Sequence, residues 1–287
     1  MTGEAIDALE AAIRDCELCP RRCRVDRTAG EVGACRTGEH PHVASAAPHF
    51  GEEPVLVGRG GSGTIFFSGC NLDCVFCQND DISHGTPGPA VPPDRLADLM
   101  LELEGHGCEN INFVTPSHVA HAVARAVDIA RRRGLAVPTV YNSGGYDAVE
   151  TVARLDGLID IYMPDFKWAD GEAAATYSGA PGYPEIAAAA LAEMYGQVGP
   201  LELDDRRVAT RGVLVRHLVM PGDLAESRRV IDRVAEAAPG CAVNVMGQYR
   251  PAYRAREFHE LVGRPEHHEV EALRAYATEQ GLVRVDR

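Results

Sequence analysis

Short apolar runs alternate with amphipathic stretches over most of this chain. The runs GTIFFSG (63–69), NINFVTP (110–116), AVPTVYN (136–142), LIDIYMPDF (158–166), GVLVRHLVMP (212–221) and CAVNVMGQY (241–249) are rich in β-branched and aromatic residues and have the length of buried strands. Between them lie DRLADLMLELEGHG, SHVAHAVARAVDIARRRG, DAVETVARL, PEIAAAALAEMYGQV and LAESRRVIDRVAEAAPG, with apolar residues three and four apart. Several of these close on glycine, so each predicts a helix. A further helix, HHEVEALRAYATEQG, precedes a short terminal strand.

Six strand-then-helix units predict an α/β fold with a parallel sheet, because a chain that returns to the same edge needs a crossover. A doubly wound open sheet and a closed or partial (β/α) barrel both satisfy the pattern, and both place ligands at the C-terminal ends of the strands. Polar residues collect at those ends: Cys70, Thr115, Asn142, Asp165 with Lys167, Arg216 with His217, and Gln248. Residues 1–50 lack the alternation and predict a small Cys-rich extension stapled by a metal, ahead of an α/β body over 51–287.

Composition narrows the setting. At 287 residues the chain can bury a substantial core, and no window approaches the roughly 20 apolar residues of a membrane span. Its first residues, MTGEAIDALEAAIRDC, are charged and lack the apolar segment of a secretory signal, so a cytoplasmic protein with no membrane partner is expected. The net charge of −14 disfavours nucleic acid as a partner. Nine cysteines in a reducing compartment point to metal or cluster ligation instead of disulfides.

The segment SGCNLDCVFCQN (68–79) holds Cys70, Cys74 and Cys77 in the loop after the first strand. A closed structural zinc site takes four ligands and a disulfide two. Three thiolates on a four-iron cluster leave one iron with an open position, which is a place for a substrate or cofactor to bind. The competing reading is a zinc site completed by a distant ligand such as His84, or cysteines of the core. A second group, Cys16, Cys19, Cys23 and Cys35, supplies four thiolates, suited equally to structural zinc and to a 4Fe-4S cluster. Three other features carry plainer expectations. GRGGSG (58–63) precedes a strand and reads as a turn; His118 and His121 read as polar residues of a helix start; Cys108 and Cys241, at strand starts, read as buried and inert.

The Cys-x3-Cys-x2-Cys run with Phe76 before its last cysteine resembles the signature of the radical S-adenosylmethionine (radical SAM) superfamily. Its surroundings, GSGTIFFSGCNLDCVFCQN, NINFVTPSH, VYNSGGY, IDIYMPDFK, RHLVMPG and QYRP, resemble the uncharacterised branch related to pyruvate formate-lyase activating enzymes, over nearly the whole chain. The resemblance implies a partial (β/α)6 barrel of radical SAM type with a 4Fe-4S cluster on Cys70, Cys74 and Cys77, and S-adenosylmethionine (SAM) on the open iron. It implies reductive cleavage of SAM to a 5′-deoxyadenosyl radical that abstracts hydrogen from a substrate. Phe76 matches the aromatic position near the adenine; Asp165 and Lys167 match the Asp-x-Lys segment near the SAM carboxylate. Asn142 and Ser143 match the turn after the third strand, and Arg216 the arginine of the fifth. Implied partners are an electron donor such as a flavodoxin or ferredoxin, and either a glycyl radical enzyme or a peptide or small-molecule substrate. Two departures stand out. Val114-Thr115-Pro116-Ser117 replaces the activators' Gly-Gly-Glu, and Gln248 stands where a histidine is often found. A non-catalytic iron–sulfur or zinc protein, acting as electron carrier or assembly scaffold, is the alternative from another functional class.

Overall fold

The sheet is laid down almost in chain order. In the computed structural model, which describes residues 3–285, α1 (Gly3–Ala11) and a long irregular segment lead into β1 (Val43–His49), α2 (Pro54–Val57) and β2 (Ser62–Phe67). There follow α3 (Asp80–Ser83), α4 (Pro93–Gly105), β3 (Ile111–Val114), α5 (Ala120–Arg132), β4 (Thr139–Ser143), α6 (Val149–Ala153) and β5 (Ile161–Pro164). The remainder is α7 (Gly171–Ser178), α8 (Tyr183–Val198), β6 (Glu202–Leu203), β7 (Ala209–Leu218), α9 (Ser227–Ala237), β8 (Ala242–Met246), α10 (His267–Glu279) and β9 (Val283–Arg284). Among the described residues no helix is long and apolar enough to cross a membrane.

Strands β2, β3, β4, β5, β7, β8 and β9 pair in that order and all in parallel. The order never reverses, which removes the doubly wound alternative, since that fold is defined by a switch point in the strand order. A singly wound sheet keeps its helices on one face and curls around the other. β1 and β9 stand at the two ends of the strand order, so the result is a partial (β/α)6 barrel. β1 pairs antiparallel with β2, and β6 antiparallel with β7.

Strand periodicity sorts the side chains into two cores. Residues pointing out, such as Tyr141, Tyr162, Val213 and Val215, pack with the helices in the larger cluster. Residues pointing in form a smaller apolar layer of Val140, Ile161, Met163, Leu214 and Ala242, capped by Leu56 of α2. The β1–β2 connection therefore plugs the barrel from the end where the parallel strands begin. Asn110, just before β3, holds that plug by donating to the Leu56 carbonyl at 2.7 Å. At the same end, Cys108 and Cys241 are buried ahead of β3 and β8, as expected, and GRGGSG is the turn into β2.

The N-terminal residues join the larger core through Ile6, Leu9, Ile13, Cys16 and Leu18. Arg125 of α5 clamps α1 by bonding Asp7 at 2.6 Å and Glu10 at 2.8 Å. Beneath this extension lie His118 and His121, just before and in the first turn of α5, where they are 1% and 4% exposed. The extension covers these helix-start residues, and their Nε2 atoms bond the carbonyls of Ser68 (3.0 Å) and Glu39 (2.9 Å).

His217, one position after an inward-pointing residue of β7, points outward into the helix layer. Its ring bonds the Phe166 carbonyl at 2.7 Å and Ser227 Oγ at 2.9 Å, and burial pushes it down to about 4. The folded protein thus keeps this ring neutral where the unfolded chain would protonate it below about pH 6.5. The associated stability is complete above that pH and is lost as the pH falls toward 4, by roughly 2 kcal/mol at pH 5. Urea midpoints at pH 7 and pH 5 should converge more closely for His217→Gln than for the wild type; equal pH slopes would contradict this account.

Candidate active site

The cysteine loop leaves the C-terminal end of β2 and is pinned to the end of α7. Asp73 donates its amide to the Ser178 carbonyl at 3.0 Å and Val75 to the Tyr177 carbonyl at 2.9 Å. Cys70, Cys74 and Cys77 are all part-buried and free. The Leu72 amide donates to Cys70 Sγ at 3.3 Å, Cys74 Sγ lies 3.2 Å from Ser178 Oγ, and Cys77 Sγ lies 3.7 Å from Ser83 Oγ. Burial pushes Cys70 up to about 12, with the neighbouring Cys74 and Cys77 adding to the rise and Lys167 opposing it. Burial also raises Cys74, and Lys167 is its main counterweight.

Cys70 and Cys74, held against ionisation, are poor nucleophiles but suitable ligands, because bound cations remove the repulsion that keeps them protonated. Their chemistry fits a cluster of thiolate-held irons. His84 lies beside the thiol loop. It turns to Asp73 at 3.7 Å and stacks on Tyr253 with ring centroids 4.8 Å apart. The Phe76 ring faces away from solvent, against Trp168 and Tyr249 at 5.7 and 6.3 Å, leaving only its backbone to line the loop.

Above the apolar layer the barrel interior becomes polar, and four of the predicted site residues meet there. Arg216 is the hub. Its Nε bonds Asp165 Oδ1 at 3.0 Å, one terminal nitrogen bonds Asn142 Oδ1 at 2.6 Å, and the other bonds Glu52 Oε1 at 3.3 Å. Glu52 accepts further bonds from Asn112 (2.9 Å) and Asn142 (3.2 Å), and Lys167 Nζ lies 2.5 Å from Asp165 Oδ2. Burial would raise Asp165, but Lys167 and Arg216 outweigh it and hold the carboxyl below its usual range. For Lys167 burial works the other way, and Asp165 overcomes it to keep the ammonium charged. Glu53, the next residue, accepts from Asn244 at 2.9 Å and is raised by burial.

Ser143 belongs to a neighbouring cluster. It donates to Asp147 at 2.6 Å, and Tyr141 donates to the same carboxyl at 3.1 Å. Burial raises Asp147, with the hydroxyl donors opposing that rise. The turn between them is locked by Gly145, at φ +78°, where a Cβ would sit 2.1 Å from the Asp165 carbonyl oxygen. Tyr183, a residue that sequence reasoning missed, seals the same junction: its hydroxyl lies 2.8 Å from the Gly144 oxygen and 3.0 Å from the Asp165 oxygen. Thr115, where the activators have glycine, adopts φ +61°, a costly conformation for a β-branched residue. Gln248 is exposed beyond β8.

Glu52 is the larger omission. The signal was available in GEEP, two adjacent acids before a proline, but nothing local says that one of them enters a barrel. A cavity of about 1230 Å³ lies on the plug side, bounded by Phe50, Glu52, Val55, Leu201, Val208 and Leu282. The thiol loop and the charged hub, which carry the reactive groups, are at the strand C-termini, where ligands of this architecture bind.

The fold, a partial (β/α)6 barrel, is structurally similar to radical SAM partial barrels. The structure is similar to methylornithine synthase (PylB), with a TM-score of 0.52, 12% identity and coverage of 99% of this chain and 71% of that one. A weaker likeness is to TYW1 with a lysine-pyruvate adduct bound (TM-score 0.47, 10% identity, 75% and 73% covered). No family model matches the chain. The chain belongs to the family of the uncharacterized protein MJ0674 of Methanocaldococcus jannaschii, to which it is 30% identical over 96% of its length and 78% of the relative's.

Removing one partner of a largely buried ion pair strands the other, so Glu52→Ala should lower stability by roughly 3–5 kcal/mol. In a urea double-mutant cycle with Arg216→Met, the pair should cost less than the sum of the singles by about 1–3 kcal/mol. Additive losses would show that Glu52 and Arg216 act independently.

Proposed function

We propose that this chain is a radical SAM enzyme in which Cys70, Cys74 and Cys77 hold a 4Fe-4S cluster that leaves one iron open for SAM. The observation that carries the reading is the three-thiol loop standing over a buried pair of cations, Lys167 and Arg216, on the C-terminal side of one barrel. When bound, the cluster and SAM supply an electron and a 5′-deoxyadenosyl radical able to take a hydrogen atom from a substrate.

The chain's own residues have narrower tasks. Lys167 and Arg216 offer charge-assisted hydrogen bonds to the SAM carboxylate, and Asp165 and Glu52 hold them ionised and aimed before it arrives. Asn142 orients the guanidinium, and Ser143, anchored on Asp147, fixes the turn beside it. Phe76, Trp168 and Tyr249 form an aromatic wall that excludes water from the thiol loop. A low-potential flavodoxin or ferredoxin would supply the electron. The substrate classes in view are a protein glycine, as for the glycyl radical enzyme activators, and a small molecule or peptide. The carrier or scaffold alternative needs a fourth ligand at the thiol loop, beside which His84 stands against Asp73 and Tyr253.

Anaerobically reconstituted and reduced protein should convert SAM to 5′-deoxyadenosine, and Cys77→Ala should abolish this. Lys167→Met should weaken SAM binding about 10- to 100-fold, the loss of one charge-assisted hydrogen bond. Wild-type affinity in that variant would remove Lys167 from the SAM site.

A further inference from the structure

Cys16, Cys19, Cys23 and Cys35 line one small cavity together with Arg27 and His118. Three of the thiols are buried and Cys23 is part-buried. The backbone around them is sharply turned: Arg22, Arg24 and Arg36 adopt φ +42°, +58° and +60°, and the Ala34 amide donates to Cys23 Sγ at 3.4 Å. Such turns aim amides at sulfur, as a thiolate requires.

Two buried polar groups at this cavity lack partners. Arg27 is 1% exposed; it donates to the carbonyls of Gly38 (2.8 Å) and His118 (2.7 Å), and one terminal nitrogen lies 3.9 Å from Cys16 Sγ. Its other terminal nitrogen has no partner, and among the described residues no carboxylate pairs with it. His118, also 1% exposed, uses Nε2 on the Ser68 carbonyl and leaves Nδ1 without a partner. A guanidinium cannot shed its proton, so a buried one beside four thiols calls for an anionic occupant with acceptors of its own. Zinc on four thiolates brings negative charge but no acceptor beyond the ligand sulfurs. An iron–sulfur cluster brings bridging sulfides.

The segment also touches the first cysteine loop. Arg21, two residues after Cys19, donates Nε to the carbonyl of Asn71 at 2.7 Å, and Asn71 lies between Cys70 and Cys74. On the other side Gly69, next to Cys70, is at φ +81°, and a Cβ there would sit 2.4 Å from the Cys35 carbonyl oxygen. The ligand-bearing segments of the two groups thus meet at two points, once through the Arg21 side chain and once backbone to backbone at Gly69 and Cys35.

We propose that Cys16, Cys19, Cys23 and Cys35 hold a second 4Fe-4S cluster, with Arg27 as a hydrogen-bond donor to it, and that it passes electrons to the Cys70, Cys74 and Cys77 centre. The relay rests on the radical SAM reading; the identity of the second centre does not. In each transfer the N-terminal cluster is oxidised by one electron and the other cluster reduced by one, with no bond made or broken. A low-potential one-electron donor, dithionite in the assay, restores the first. The Arg27 cation stabilises the more negative, reduced state and so raises the potential.

The test begins with full-length protein reconstituted anaerobically with iron, sulfide and zinc. The Cys70/Cys74/Cys77→Ala triple variant should retain about four irons and a reduced-cluster electron paramagnetic resonance signal. One zinc and no iron would overturn the proposal. Should the triple variant not fold, the wild type decides between about eight irons, as proposed, and about four irons with one zinc, which refutes it. Arg27→Gln should lower the N-terminal cluster's midpoint potential, and an unchanged potential would remove Arg27 from its surroundings. In Cys19→Ser, freeze-quenched reduction of the remaining centre by dithionite should slow at least about tenfold, equivalent to about 1.4 kcal/mol in the barrier. A wild-type rate would overturn the relay, whatever the variant does with SAM.

Discussion

The site is organised around the ionised Arg216 held inside the barrel. A guanidinium there must be answered from several directions, and Asp165, Asn142 and Glu52 answer it from β5, β4 and the barrel plug. These bonds tie three separate segments to one point and leave Lys167 charged beside Asp165 under the thiol loop. Taking charges out of water is costly, so the arrangement contributes less to stability than to specificity: it fixes where the cations stand before any ligand arrives.

The two-layer interior explains how such a hub is tolerated. Val140, Ile161, Leu214 and Ala242 close the strand-start end, and Leu56 caps them. The polar residues sit one or two strand repeats further along, at Asn142, Asp165, Arg216 and Asn244, with Asp165, Arg216 and Asn244 in adjacent registers. Polarity is thereby confined to the end where the cysteine loop emerges. The cavity on the plug side is lined in part by Glu52, whose carboxylate enters the hub from that side.

Much of this was legible in the sequence because periodicity is local. Strands β2, β3, β4, β5, β7 and β8 fall on the apolar runs, and of the polar residues at their ends Asn142, Asp165, Lys167 and Arg216 meet, while His217 points outward and Gln248 is exposed. β1 escaped notice because VASAAPH is an edge strand of small residues, and β6 because it is two residues long. Glu52, Tyr183 and the burial of His118 and His121 depend on contacts between segments distant in the chain, which carry no periodic signal. The choice between an open sheet and a barrel was likewise undecidable from element order alone; only the pairing β5 to β7 to β8, without reversal, settles it.

The central claim is that the thiol loop carries a cluster with an open iron that takes SAM. The most direct test is the electron paramagnetic resonance spectrum of the reduced Cys70, Cys74 and Cys77 cluster, recorded in a chain lacking the four N-terminal cysteines, before and after adding SAM. A changed spectrum on addition is the result predicted here. A fully loaded, reduced cluster whose spectrum is indifferent to saturating SAM would contradict it.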